Sequence, residues 1–190
     1  MSNLLSTVLG LSFAAGLNTY ATVLALGVLD RFAVLQLPAG LKVLSTTPVI
    51  AAAAVLYIVE FFADKVPLFD TVWDSLHTFI RPAAGAPLSY GAVGNVDPQW
   101  QVIAALAGGS LALTSHTAKA SARAAANLSP EPFSNWLLSL TEDAISFGLV
   151  WLMGAHPYLV IAVVAVLAML AAYIIAKLAR FAKRVFRRAA

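Results

Sequence analysis

The sequence predicts an all-α integral membrane protein with about six transmembrane helices, and three observations carry that reading. First, 61% of the 190 residues are hydrophobic and 11% charged, with a mean hydropathy of +0.84, well away from the balance of a soluble domain. Second, several uncharged runs approach or exceed the roughly 20 residues that a helix needs to cross the hydrocarbon. Third, the net charge of +3 and the pI of about 9.4 come largely from the last fourteen residues, "KLARFAKRVFRRAA". Such a tail suits an anionic membrane surface better than a nucleic-acid groove. There is no cysteine, so neither a disulfide framework nor a thiolate metal site is available.

The runs divide the chain in order. The first covers Leu4 to Leu29; it lacks a basic leader and is longer than a signal-peptide core, so it reads as a retained span. A second runs from Pro48 to about Ala63. A third begins near Thr78 with "FIRPAAGAPLSYGAVGNV" and is weakly apolar, broken by Pro82, Pro87 and glycines; residues 78-95 suit a helix packed among others rather than one facing lipid. Before it, Asp70, Asp74, His77 and Arg81 share one helical face, as expected of an interfacial helix leading into that span. The fourth span is Val102 to about Asn127, the fifth Pro132 to Gly154, and the sixth Tyr158 to Ala176. Asn127 caps the fourth, and "SPEP" at 129–132 offers an N-cap serine followed by proline for the fifth. Residues 1-176 thus form a single transmembrane domain and 177-190 a basic amphipathic tail.

Six crossings, with the basic tail inside, place both termini in the cytoplasm. A five-span arrangement would put Arg31 and Lys42 inside but expel Lys65.

The chain also matches itself. "SFAAGLNTYA" from Ser12 aligns with "SLALTSHTAK" from Ser110, setting Asn18 over His116; Pro48 and Pro130 each lie twelve residues before a glutamate, Glu60 and Glu142. With three spans in each half, the second copy enters the membrane inverted, so residues 3-94 and 101-180 form two inverted three-helix repeats. Their first helices are expected to be broken at "AGLNTY" and "GGSLALTSHT", exposing backbone to a solute. The competing reading is that these small residues serve helix contacts and bond their hydroxyls back to their own carbonyls.

Acids within spans must be protonated, paired or hydrated. Glu142 lies near the centre of its span beside Asp143, and Glu60 and Asp64 sit one turn apart, giving four candidates for ion or proton coupling. His116 and Lys119, with Arg123, form a basic stripe on the fourth span; His116, Lys119, Asn18 and Thr19 are the candidate solute contacts. The competing reading of these charges is a structural ion-pair core or, for Asp64, Lys65 and Arg123, interfacial anchoring by snorkelling. The three histidines have neither metal-ligand spacing nor an H-E-x-x-H motif, and Ser115 and His116 are neighbours that diverge on a helix. No catalytic set, metal site or cofactor motif emerges. In the tail, Lys177, Arg180, Lys183, Arg184, Arg187 and Arg188 surround Leu178, Phe181 and Val185, a pattern that would lie on the anionic inner leaflet.

"AAGLNTYATVLALGVLDRF", "EFFADKVPLFDTVWDSLHTFIRPAAGA" and "SHTAKASARAAANLSPEPFSNWLLSLTEDAISF" together resemble the bacterial membrane family known as domain of unknown function 4126, with "DSLHTFIRP" and "SPEPFSN" the most specific matches. The resemblance implies a compact domain in a bacterial cytoplasmic membrane, with "IRPAAGA" continuing as a span, and carries no activity over. The expectation is a small secondary transporter or channel for a small anionic or zwitterionic solute, coupled to protons or sodium, with membrane lipids as partners and room for a homo-oligomer. The alternatives are a membrane-embedded enzyme acting on a lipid or quinone head group, with His116 and an acid moving the proton, and a non-catalytic scaffold.

Overall fold

The computed structural model describes residues 2–66, 69–94, 96–128 and 133–189. Asn95 and the whole of "SPEP" lie outside them. The described residues form seven α-helices and one 3-10 helix, with no strand. The helices are α1 (Ser2–Leu17), α2 (Thr19–Arg31), α3 (Thr47–Ala63), α4 (Phe69–Ala92), α5 (Pro98–Ala126), α6 (Phe133–Ala155) and α7 (Pro157–Ala189), with the 3-10 helix at Ala39–Ser45. Proline opens α5 and α7 and occupies the first turn of α3, where its missing N–H costs nothing. Asn127 caps the C-terminal end of α5, as the sequence suggested.

Cross-contacts fix the directions of the helices. Asp64 on α3 meets Arg123 on α5, and Lys65 meets Ser139 on α6 while Tyr57 meets Asp143. Thus α3 runs with α5 and against α6. Between α4 and α5, Thr78 reaches His116 while Ser89 lies against Gly108, so this pair is antiparallel. Ser121 to Leu128 share a groove with Ile175 to Phe181, which sets α7 parallel to α5. The helices from α3 to α7 therefore alternate in direction.

The first two helices depart from a simple span. On α1, Gly10 lies against Met153, the Ala14 carbonyl accepts from Ser146, and Leu17 meets Lys119; α1 is antiparallel to α6 and parallel to α5. On α2, Tyr20 meets His77 and Gly27 packs on Leu44 and Ile50, so the chain has turned back. Leu4, Leu26, Ala92 and Met153 line one small cavity, which puts the start of α1 level with the end of α2. The two helices make a V with Asn18 at its point.

This corrects four expectations. The stretch from Leu4 to Leu29 is not one crossing, because Asn18 ends one helix, caps the next and reverses the chain. The start of α1 and the end of α7 consequently lie at opposite ends of the bundle, whereas six crossings would have brought them to the same end. The break has no counterpart in α5, which continues through "GGSLALTSHT". Residues 12–18 and 110–116 run side by side in the same direction, so the first helices are not related by inversion. Hydropathy could not separate a V from a crossing, since both consume the same length of apolar chain.

Small residues explain the α1–α5 seam. A Cβ on Gly16 would overlap Ser115 Oγ and the Ala112 carbonyl, and one on Gly108 would stand 2.8 Å from Ser12 Oγ besides overlapping Ser89 of α4. The glycines in these helices serve close packing.

Two further expectations change. The interfacial helix and the weak third span are one uninterrupted helix, α4, whose polar face turns into the bundle: Asp70, Asp74, His77 and Arg81 are buried while Phe79 is 79% exposed. The basic tail is not separate from the last span either. α7 runs past Ala176 to Ala189, with neither glycine nor proline after Pro157 to stop it; the side chains of Arg187 and Arg188 lie outside the described residues.

By length and composition, Phe133–Ala155 and Pro157–Phe181 can each cross a membrane, and a third span is added if the 3-10 helix and α3, bent by 67°, count as one. Helices α3, α4 and α5 carry their charges inward and present apolar side chains outward, Phe62, Val72, Leu76 and Leu106 among them. That is the reverse of a water-soluble bundle.

Candidate functional site

The point of the V is where buried charge collects. Breaking a helix leaves its final carbonyls without intrahelical donors and with a partial negative charge. Arg81 Nη1 donates to the Gly16 carbonyl at 2.6 Å and also to that of Leu17, and Lys119 Nζ reaches Leu17 at 3.1 Å. Asn18, extended at φ −148° and ψ 101°, accepts from the Ala21 N–H at 2.9 Å as N-cap of α2. Its amide donates to Asp143 at 2.9 Å, and the Tyr57 hydroxyl donates to the same carboxylate at 3.1 Å. Four helices thus converge on one unwound residue.

Behind that point lie three cations and four carboxylates. Arg81 pairs with Glu60 at 2.5 Å; Lys119 pairs with Glu60 at 3.2 Å, Asp64 at 3.0 Å and Glu142 at 3.3 Å. Arg123 pairs with Asp64 at 2.8 Å and Glu142 at 2.6 Å and donates to the Asp64 carbonyl at 2.7 Å. Asp74 stands 3.8 to 4.0 Å from all three cations. Arg81 and Arg123 are the largest fully buried side chains described. Burying an ion costs several kcal/mol of lost hydration, so such charges persist only when multiply paired. Among the described residues no three His, Asp or Glu side chains are placed to hold a metal ion; cations are interleaved between the acids.

Most sequence candidates meet here. Glu60, Asp64 and Glu142 all pair with Lys119, and Asn18 donates to Asp143. His116 sits at the edge: its Nε2–H points to the Asp74 carbonyl and Thr78 Oγ1, both at 3.1 Å, leaving Nδ1 bare and buried. The Thr19 hydroxyl bonds back to the Ala15 carbonyl at 2.7 Å, as the packing reading expected. Asp64, Lys65 and Arg123 do not snorkel. Lys65 is buried, donating to the Phe61 carbonyl at 2.9 Å and Ser139 at 3.2 Å, with its ammonium over the Phe61 ring. The sequence reading missed Arg81 and Asp74 as members of the site. Their signal was the stripe from Asp70 through Arg81 to Gly85 and Ser89, which keeps helical spacing across the supposed boundary between interface and span.

Next to the network a cavity of about 120 Å³ is lined by Leu17, Lys119, Glu142 and apolar residues of α5, α6 and α7. At the end of the bundle where α5 stops, Asn127 donates to Asp70 at 3.0 Å and accepts from Asn135 at 2.6 Å, tying α4, α5 and α6 together.

Residues 5–177 match the family described as Domain of unknown function (DUF4126). The chain belongs to that family. Neither the curated proteins nor the solved structures contain a match to it.

A second polar cluster lies at the opposite end. Asp30 accepts from the Leu37 N–H at 2.8 Å, from Lys42 at 2.6 Å and from Ser45. Burial works against ionising it, but these donors outweigh burial and hold its carboxyl down at about 2.

Proposed function

We propose that this protein is a proton-coupled secondary transporter or channel for a small anionic or zwitterionic solute in a bacterial cytoplasmic membrane. The observation that carries the reading is an unwound helix point buried among three cations and four carboxylates, inside a bundle whose outer faces are apolar. Discontinuous helices ending beside polar sites within the membrane are a recurring device of transporters. In this reading Lys119 and His116 attract the solute's negative group, Asn18 and Thr19 supply neutral contacts, and Glu60, Asp64, Glu142 and Asp143 are the carboxylates among which coupling protons move.

The membrane arrangement is five crossings, α3 to α7, with the α1–α2 V entering and leaving on one side. Lys65 and the tail lie at one end, Arg31 and Lys42 at the other, and the basic excess puts the tail end in the cytoplasm. The start of α1 then faces outward. Tags at the two termini test this: protease added to intact spheroplasts is expected to remove the N-terminal tag alone, and protection of both would overturn it.

Function is tested with purified protein in liposomes holding a pH-sensitive dye, against imposed gradients of amino acids and small carboxylates. At least one solute is expected to move protons, and E142Q, which keeps shape but not titration, is expected to melt normally and lose that coupling. The second reading is a scaffold stabilised by ion pairs, favoured because each cation of the network has at least two partners. It requires that E142Q melt lower, that Arg123→Met in addition restore melting, and that no solute in the panel move protons.

A further inference from the structure

We propose that Asp74 carries the exchangeable proton of the buried network, and that this proton keeps Arg81 and Lys119 on the point of the V. The purpose of the device rests on the transport reading; the observation behind it does not. Of the four network carboxylates, Glu60, Asp64 and Glu142 each accept a direct hydrogen bond, at 2.5, 2.8 and 2.6 Å. Asp74 is as deeply buried, yet neither of its carboxylate oxygens has a hydrogen-bond partner. Its nearest nitrogens stand at 3.8 Å on Arg81 and 4.0 Å on Lys119 and Arg123.

The charge count explains this geometry. Arg81, Lys119 and Arg123 can balance three of the four acids, which leaves one negative charge in excess; beside them Lys65 and Asp143, whose carboxylate accepts from Asn18 and Tyr57, offset each other. An ionised Asp74 facing three cations would draw them to bonding distance, whereas a neutral carboxylic acid would not. A metal ion is a poor substitute for the proton, because three fixed positive charges within about 4 Å would repel it. The charged groups facing the Asp74 carboxylate are Arg81 on its own helix, Lys119 and Arg123 from α5 and Asp64 at the end of α3; His116 bonds the Asp74 carbonyl, Glu60 and Glu142 hold the same three cations, and Tyr20 of α2 bonds His77 one turn along α4.

Loss of the proton acts on the V. The O–H bond breaks, the proton passes to water, and the new carboxylate competes for Arg81 and Lys119 with Glu60 and with the Gly16 and Leu17 carbonyls. Arg81 Nε, buried without a partner, is the donor available to it. Deprotonation at Asp74 and release of the α1 terminus are thus two sides of one exchange.

Infrared spectroscopy of the purified protein in lipid tests the site. A protonated carboxylic acid has a carbonyl band separate from those of carboxylates. At neutral pH wild type is expected to show it, ¹³C-aspartate labelling to shift it, D74N to abolish it and D30N, at the opposite end of the bundle, to leave it. Labelling needs no variant, so the test survives misfolding of D74N. A missing band, or one that aspartate labelling does not shift, overturns the proposal. Hydrogen exchange in the segment 14–22, corrected for intrinsic rate, is expected to rise in wild type as the band titrates and to stay flat in D74N; equal behaviour overturns the coupling to the V. If the band belongs to Asp74 and no solute moves protons, the transport reading falls alone. If D74N couples solute to protons like wild type, the site falls alone.

Discussion

Asp30 and Arg81 both anchor ion pairs at the ends of the V's arms, but in opposite circumstances. At the outer end Asp30 pairs with Lys42, whose side chain is 54% exposed, and it accepts from a backbone amide and a serine as well. At the inner point Arg81 is fully buried and holds Glu60 together with two helix-terminal carbonyls. At the outer end the exposed Lys42 can exchange its partner for water. No inner member can, so replacing one by an apolar side chain leaves its partners stranded in a low-dielectric interior. The same residue types therefore act as loop fasteners at one end and as a constraint on the whole bundle at the other.

The largest expected effect breaks the inner cluster. Arg81→Met should cost about 3 to 5 kcal/mol in detergent unfolding, because Glu60 and the α1 carbonyls lose their main donor. Adding Glu60→Met should recover much of it; a double variant no better than the single one would mean that Arg81 acts chiefly on the carbonyls. Next comes the seam that lets the point sit so deep. Gly16→Ala should cost about 1 to 3 kcal/mol through overpacking against Ser115 and the Ala112 backbone. Gly148, where an added Cβ would meet nothing within 4 Å, is the control: Gly148→Ala should be neutral or gain up to about 1 kcal/mol in helix propensity.

Asn18→Ala should cost about 1 kcal/mol through the lost N-cap, and more if Asp143 is left short of a donor. The smallest effect belongs to the outer end, where Lys42→Ala should change melting by less than about 1 kcal/mol. There the acid dependence has a defined sign. The carboxyl of Asp30 is held below its ordinary 3.8, at about 2, so its stabilising contribution is complete above pH 3.8 and fades as pH falls through 2. Asp30→Asn should flatten the melting profile across that window; an unchanged profile would assign acid sensitivity to other groups.

How much of this could be read beforehand differs by residue. Glu60, Asp64, Lys119 and Glu142 were legible because charge inside an apolar run demands a partner. Arg81 and Asp74 were not, because the run that holds them is weakly apolar and interrupted by prolines, and only the neighbouring helices show that its polar face turns inward. "AGLNTY" and "TSHTAK" posed the same question and received different answers. Asn18 is extended and caps a new helix, while His116 stays within α5, whose backbone bonds continue unbroken on either side of it.

Composition and periodicity by themselves determined that the chain is helical, that its apolar surface exceeds what a soluble domain exposes, and which charges must be neutralised within it. Those properties are local sums over side chains and are independent of how the helices meet. Direction and pairing were decided only in the tertiary structure. One extended residue at Asn18 turns a span into a V, and which carboxylate is left without a bonded cation depends on distances set by five helices packed together.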